Sequence, residues 1–457
     1  MTFDFESYLS TLYPSTTYHV TPLSGGLVNF TVRARRVDGD DASVPDSAST
    51  TSHPKESAPV PPQTLILKHA PPYIATLGAV APFSQARQTV EATVLKLFHP
   101  TTGPLAHLNN HPEYGNILIP HIISHDPAQS ILALQDLGDE LLTLWEFFTP
   151  TTTAAASSLR SHASRAAAPA TKPNAAATIG ARLGTFFASL HSASTLAAIQ
   201  GQGPNDIEAV RVLDKSLTRQ VVRDAAVAPI LARLQDPGGL DAAAAERLYA
   251  RAVADYERGP IHGPGQLEEC CLSMGDFHPG SVLGKQKGDV AAPVVGVIDW
   301  EFATTENGRG VNGDMAQFLA SMHVLMLSLA REGEIGAVRE AVELFLRELC
   351  SAYAKRSDLA RRVKDAVAAR RIKADEPALR IFRSTLILFG RETINQAVER
   401  TWEHVPAVSV EEMVRAGAWY LERAADSIEE MVVDRNWEEL MKEKPKMMLG
   451  LFGIAHQ

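Results

Sequence analysis

The rhythm of apolar and polar positions changes part-way along this chain. Before Gly138, short apolar runs at 18–23, 30–36, 64–69, 117–123 and 131–135 predict β-strands. One helix is predicted among them, over 85–98, where Val90, Val94, Leu95, Leu97 and Phe98 form a stripe. Beyond Gly138 apolar residues recur at helical spacing over 179–190, 242–255, 315–329, 335–353, 378–398 and 410–433. Strands at 272–274 and 294–299 are expected to interrupt those helices.

These elements predict an α+β protein with two lobes. A small β-rich N-terminal lobe covers 1–137, and a larger, mostly helical C-terminal lobe covers 138–457, with a hinge at Asp136–Gly138. Ligand sites favour such junctions. Two segments break the pattern. Residues 38–62 are rich in Asp, Ser, Pro and Thr and cannot bury enough surface to offset ordering, which predicts a mobile loop. Residues 149–177 are largely Thr, Ala and Ser with Pro150, Pro169 and Pro173, and predict a second flexible insertion or a frayed helix.

Composition narrows the function classes. With 45% hydrophobic and 21% charged residues the chain reads as soluble and globular. A net charge of −10 argues against nucleic acid as a partner, because phosphate backbones need a basic footprint. The three cysteines, Cys270, Cys271 and Cys350, fit neither a disulfide framework nor a zinc motif and point to a reducing compartment. The first residues are acidic where a signal peptide is basic, and no apolar run is long enough for a bilayer. A cytoplasmic protein with no membrane partner is expected; oligomeric state is not legible.

The chemistry concentrates in two stretches. Met274-Gly275-Asp276-Phe277-His278-Pro279-Gly280-Ser281 puts Asp276 in a tight loop. Val297-Ile298-Asp299-Trp300-Glu301 puts Asp299 at the end of an apolar strand, where a carboxylate is costly unless it is paired or holds a cation. The interval leaves room for a strand, a turn and a second strand, so both carboxylates can reach one cleft. Phosphoryl transfer uses such a pair: one carboxylate receives the acceptor hydroxyl's proton, the other holds magnesium. Ser281 is either a magnesium ligand or a turn cap. Glu301 either takes a second ion or faces solvent. His278 either meets phosphate or substrate, or bonds within its own loop. Asp314 caps a helix, supports the Asp276 loop, or does both.

The N-terminal candidates are weaker one by one. Ser24-Gly25-Gly26-Leu27-Val28-Asn29 is a phosphate-cradling turn or a plain hairpin. Lys68 ends an apolar strand. It either binds phosphate, with Glu91 on the next helix as ion-pair partner, or leaves the strand for water. Gln135-Asp136-Leu137 offers backbone groups to an adenine edge, or serves as a linker. No Gly-x-Ser-x-Gly elbow, His-Glu-x-x-His pair or Walker loop is present.

In this order the motifs resemble the aminoglycoside phosphotransferase-like superfamily of small-molecule kinases. The family loop, roughly His-Gly-Asp-x-x-x-x-Asn, corresponds to Met274 through Ser281. Its Ile-Asp-x-Glu motif corresponds to Ile298-Asp299-Trp300-Glu301, and a later Asp at a helix start to Asp314-Met315-Ala316. Within the superfamily the chain looks most like methylthioribose kinase and fungal hydroxytryptamine kinase, on Leu23 through Asn29, Ile66-Leu67-Lys68-His69-Ala70 and Asp299-Trp300-Glu301. The resemblance implies a bilobal protein-kinase-like fold, ATP and magnesium as cofactors, and a small-molecule hydroxyl acceptor. It implies Asp276 as base, Asp299 and Ser281 as metal ligands, and Lys68 with Glu91 on the phosphates. Ser24, Gly25, Gly26, Asn29, Gln135, Asp136 and Leu137 complete the implied nucleotide site. Met274 and Ser281 depart from the family's histidine and asparagine.

Three readings follow: a kinase of a small hydroxylated metabolite (sugar, amino alcohol or hydroxyindole type), a nucleotide-binding pseudokinase, and a protein kinase. The last is disfavoured, since Asp314 follows Asp299 too soon for an activation loop and no Ala-Pro-Glu element is present. Arg309, Asn312, Arg391, Glu392 and Trp402 are candidate acceptor contacts.

Overall fold

A computed structural model describes residues 3–23, 26–37, 61–148, 173–201, 219–220, 223–260, 269–285, 293–329, 333–368, 377–400, 406–425 and 450–453. Ser24, Gly25, Trp402 and most of the two unusual segments, 38–60 and 149–172, lie outside the described residues.

The strands are β1 Tyr18–Pro22, β2 Phe30–Arg36, β3 Thr64–His69, β4 Ile117–Leu118, β5 Ile122–Asp126, β6 Ile131–Gln135, β7 Leu141–Thr143, β8 Val282–Lys285 and β9 Val295–Val297. Five of them form a sheet in the order β1-β2-β3-β6-β5, antiparallel throughout. Alternation along the strands gives this sheet two apolar faces. Val32, Ala34, Leu65, Leu67, Ile131 and Ala133 pack with Phe5, Tyr8 and Leu9 of helix α1, Phe5–Leu12, on the outer face. Leu132, Leu134 and the partly buried Ile66 join the main core on the inner face, beneath helix α2, Ala86–Leu97. Lys68 stands two residues past Ile66, so the same alternation turns it inward, toward α2. Helix α1 has no counterpart among the sequence expectations. It is short, starts on the Asp4 side chain, which accepts from the Ser7 amide at 3.0 Å, and is held by its three buried residues.

The second sheet runs β4-β9-β8-β7, with β4 parallel to β9 and the other pairs antiparallel. Here the structure corrects two strand expectations. The run 117–123 is not one strand: Pro120, which has no N–H for a ladder, follows β4, and β5 starts afresh in the other sheet. Residues 272–274 form no regular strand, only isolated bridges at Cys270–Arg309 and Ser273–Thr304. The reason is chemical: the Met274 and Gly275 amides bond the Asp314 carboxylate instead of a strand. The pairing of β4 with β9 also crosses the boundary expected at 137/138.

The remaining helices are α3 Leu144–Phe148, α4 Pro173–Leu190, α5 Ala193–Gln200, α6 Ile230–Gln235, α7 Ala242–Glu257, α8 Ala316–Ser328, α9 Gly333–Arg356, α10 Asp358–Ala368, α11 Pro377–Glu399 and α12 Val410–Arg423. Residues 426–433 of the last expected helix lie outside the described residues. Gly180 and Gly184, one turn apart, let α4 lie directly on the backbone of α9, where a Cβ would collide with the Phe345 and Leu349 carbonyls. Phe186, Phe187, Phe277, Phe318 and Phe345 fill the core around that seam. Each such buried ring contributes on the order of 2 kcal/mol. The chain is thus of α+β class, a β-sheet lobe joined to a helical part.

Candidate active site

The β8–β9 hairpin sets the geometry. Its register places Val282 opposite Val297, and the Ile298 amide donates to the Ser281 carbonyl at 3.0 Å. The loop before β8 and the residues after β9 therefore emerge at one edge. Asp276 and Asp299 both line a cavity of about 590 Å³ there.

The Asp276 loop is pinned on every side. Asp314, itself 1% exposed, accepts from the Met274 amide at 2.6 Å and the Gly275 amide at 3.0 Å. It also lies 3.1 Å from Nε2 of His191, whose Nδ1 meets the Tyr353 hydroxyl at 3.1 Å. Gly275 has φ +83°, and a Cβ at that position would run into the Phe302 carbonyl. Phe277 is fully buried, stacked at 3.9 Å on Phe187 and 4.3 Å on Phe318. His278 accepts from the Gly280 amide at 3.0 Å, closing the loop. Asp276 faces the cavity, 43% exposed and oriented by Gln317 Nε2 at 2.6 Å, and His278 lines it as well, its Nε2 4.0 Å from Asp276 Oδ2.

Asp299 sits in the left-handed region at φ +73°, a conformation that ends β9. Trp300, fully buried against Phe98, anchors the chain there. Oδ1 of Asp299 accepts from Lys68 Nζ at 2.6 Å. The same ammonium lies 2.9 and 2.8 Å from the two oxygens of Glu91. Burial works against the Lys68 charge, but Asp299, Glu91 and Glu301 hold its pKa well above the ordinary lysine value. Burial also opposes the Asp299 charge, yet Lys68 keeps that carboxyl below the usual range. Glu91 is pushed up by burial despite Lys68. Burial, with Asp299 and Glu91 nearby, pushes Glu301 up to about 8 against the pull of Lys68.

Other expected site residues lie elsewhere. Ser281 is fully buried, and its hydroxyl donates to the His278 carbonyl at 2.6 Å and accepts from the His278 amide at 3.2 Å. That is the turn-cap arrangement; the hydroxyl does not point to the cavity as a metal ligand would. Asp314 supports the loop and does not cap α8. Asn29 donates to Glu301 and accepts from Arg87. Asp136 pairs with Arg33 at 2.8 Å and accepts from the Gly138 amide at 2.9 Å. The Gln135 amide donates to the His121 carbonyl, Leu137 packs over Gly296, and Gly26 is exposed beside Asn29. Of these, Asp314 reaches the cavity wall; Ser281, Asn29, Asp136, Gln135, Leu137 and Gly26 do not line it, nor do Lys68 and Glu91. Its lining also includes Arg309, Asn312, Arg391 and Glu392, four of the candidate acceptor contacts, together with Asp255, Tyr256 and Trp145, which carried no recognisable motif. Gln317 was equally silent; its one signal is a place three residues past Asp314 on the same helix start.

No group of three or more His, Cys, Asp or Glu side chains encloses a metal position among the described residues. Magnesium needs no such cage, since it takes one or two carboxylates and completes its shell with water and phosphate. Asp299, 35% exposed, is a hard oxygen donor that fits this use. No helix is long and apolar enough to cross a membrane among the described residues.

No family model matches the sequence, and no curated protein matches it. Solved structures do. The chain is similar to aminoglycoside 2'-phosphotransferase-IIIa in its GDP complex, with TM-score 0.42 and 13% identity over 92% of this chain and 97% of that one. It is similar to a choline/ethanolamine kinase family protein from Mesorhizobium loti, with TM-score 0.34 and 13% identity over 99% of each chain. A third is the ethanolamine kinase of Plasmodium vivax, with TM-score 0.33 and 9% identity over 89% of this chain and 81% of that one. Scores this low place no activity or substrate on this chain; those rest on the site's own geometry.

Proposed function

We propose that this chain is an ATP- and magnesium-dependent phosphotransferase acting on a hydroxyl of a small molecule. The observation that carries the reading is Lys68 joined at once to Glu91 and Asp299, with Asp276 on the same cavity as Asp299. A lysine fixed between two carboxylates supplies a positive point at which phosphate oxygens can be held. Asp299 offers the cation ligand. Magnesium bound there would neutralise charge on the phosphates. Asp276, held by Gln317 and open to the cavity, is placed to orient an acceptor hydroxyl and take its proton. The cavity volume suits a metabolite rather than a peptide. Within this reading Ser281 keeps its turn, and the nucleotide lies on the Lys68 side of Asp299, next to Gly26 and Asp136–Leu137.

The test is magnesium-dependent turnover of ATP with a panel of sugars, amino alcohols and hydroxyindoles, run beside Asp276→Asn and Asp299→Asn. Acceptor-stimulated turnover lost in both variants supports the reading. Nucleotide binding with no turnover by any acceptor, and no difference between wild type and Asp276→Asn, would favour a binding module.

A further inference from the structure

Two struts leave one face of α2 and end on carboxylates two positions apart. The first is Glu91–Lys68–Asp299. The second starts one turn earlier, at Arg87, which is 2% exposed. Its Nε donates to Asn29 Oδ1 at 3.1 Å. Its Nη1 donates to the Ser84 carbonyl at 2.5 Å, and its Nη2 to the Val28 and Pro71 carbonyls at 3.0 Å each. Asn29, 7% exposed, passes the contact on: its amide nitrogen donates to Glu301 Oε2 at 2.8 Å, and the same oxygen lies 3.5 Å from Arg87 Nε.

A buried arginine is expensive to desolvate, and here it is satisfied by three separate chain segments at once. The guanidinium's rigid fork makes that possible; a lysine's single ammonium does not. Val28 and Asn29 lie two and three residues past Gly26, and Glu301 two past Asp299. A movement of either segment is therefore felt by the other.

We infer that Arg87 and Asn29 are positioning residues that couple the segment after Gly25-Gly26 to the Asp299–Glu301 stretch, so that seating of that segment on a nucleotide and cation binding at Asp299 favour each other. The inference rests on the phosphotransferase reading above. Neither side chain touches the reacting atoms in it. Coupling of this kind is reciprocal: magnesium tightens ATP through the strut, and ATP tightens magnesium to the same extent.

The experiment measures ATP affinity by calorimetry with and without magnesium for wild type, Arg87→Met, Arg87→Lys and Asn29→Ser. Hydrogen exchange of the amides at 27–31 is followed in the nucleotide-free proteins. Expected is a magnesium-dependent gain in the wild type that shrinks about tenfold in Arg87→Met and Asn29→Ser, each variant losing more affinity with magnesium than without it, and faster exchange at 27–31. Arg87→Lys should recover only part of the gain. Variants that keep the full gain overturn the inference. So does an equal loss of affinity with and without magnesium, which is the signature of general damage. Should Arg87→Met fail to fold, Asn29→Ser decides alone. A wild type that binds no nucleotide removes the proposed function itself, a result distinct from either variant outcome.

Discussion

Lys68 Nζ and Asp299 Oδ1 are 2.6 Å apart although 231 positions separate them in the chain. The contact joins the two sheets, since β3 carries one residue and the end of β9 the other. Lys68 is 10% exposed and Asp299 35%, and Glu91, 3% exposed, shares the ammonium.

Lys68→Met is expected to destabilise the protein by about 3–5 kcal/mol, because Glu91 is left as a buried carboxylate without its counter-ion. Urea unfolding at neutral pH measures this. Adding Glu91→Gln should return part of the loss, since a neutral pair replaces an unmatched charge. A double variant no more stable than the single would show that Glu91 is not the aggrieved partner.

Asp276→Asn should separate chemistry from folding. The side chain is 43% exposed and its Gln317 contact survives in the amide, so stability should change by no more than about 0.5 kcal/mol. Turnover should fall by about 10²–10⁴, the range for losing a general base. A melting curve and an initial rate on the same sample check both halves.

Asp314→Ala should do the opposite. It strips the acceptor from two loop amides and from His191, leaving buried donors unsatisfied at about 1–3 kcal/mol each. Activity should fall with stability, because Asp276 loses its platform. Asp314→Asn, which keeps one acceptor oxygen, should fall between the two.

Acid sensitivity should trace in part to Glu269. Burial opposes its charge, but the bond from Arg258, with Arg309 and Asn312 adding to it, lowers its pKa to about 2 from an ordinary 4.5. A carboxyl depressed on folding adds stability that is complete above its unfolded pKa and disappears as pH falls through the folded one. The term is limited to about 3 kcal/mol. Denaturant midpoints from pH 7 down to pH 2 should therefore fall more steeply for wild type than for Glu269→Gln, with the two curves converging in acid.

The strands β3 and β6 were legible as apolar runs, but whether Lys68 turned inward or left for water was not; the buried ion pair with Glu91 decides it. The interval between Asp276 and Asp299 left room for two strands and a turn, but the first strand was expected at 272–274, and β8 at Val282–Lys285 was not among the expectations. What could not be read is whatever depends on contacts between distant segments. Asp314 could be read as a cap, as a support for the Asp276 loop, or as both; only its contact with two amides about forty residues earlier, a tertiary fact, decides for the support. Ser281 matched a ligand position in the family pattern, yet Pro279 and Gly280 bend the chain so that its hydroxyl meets His278. Arg87 and Gln317 belong to no pattern at all, and only their neighbours give them a role. The break of 117–123 was visible in Pro120 but outweighed by the apolar run around it.

The second sheet draws one strand from each of two early stretches and two from a late hairpin. A chain severed after Phe148 would leave β4 and β7 on one piece and β8 and β9 on the other. Two of the three strand pairings would then have to form between molecules. That sheet acts as a seam through the whole sequence, so neither piece should fold into a soluble unit until its complement is supplied.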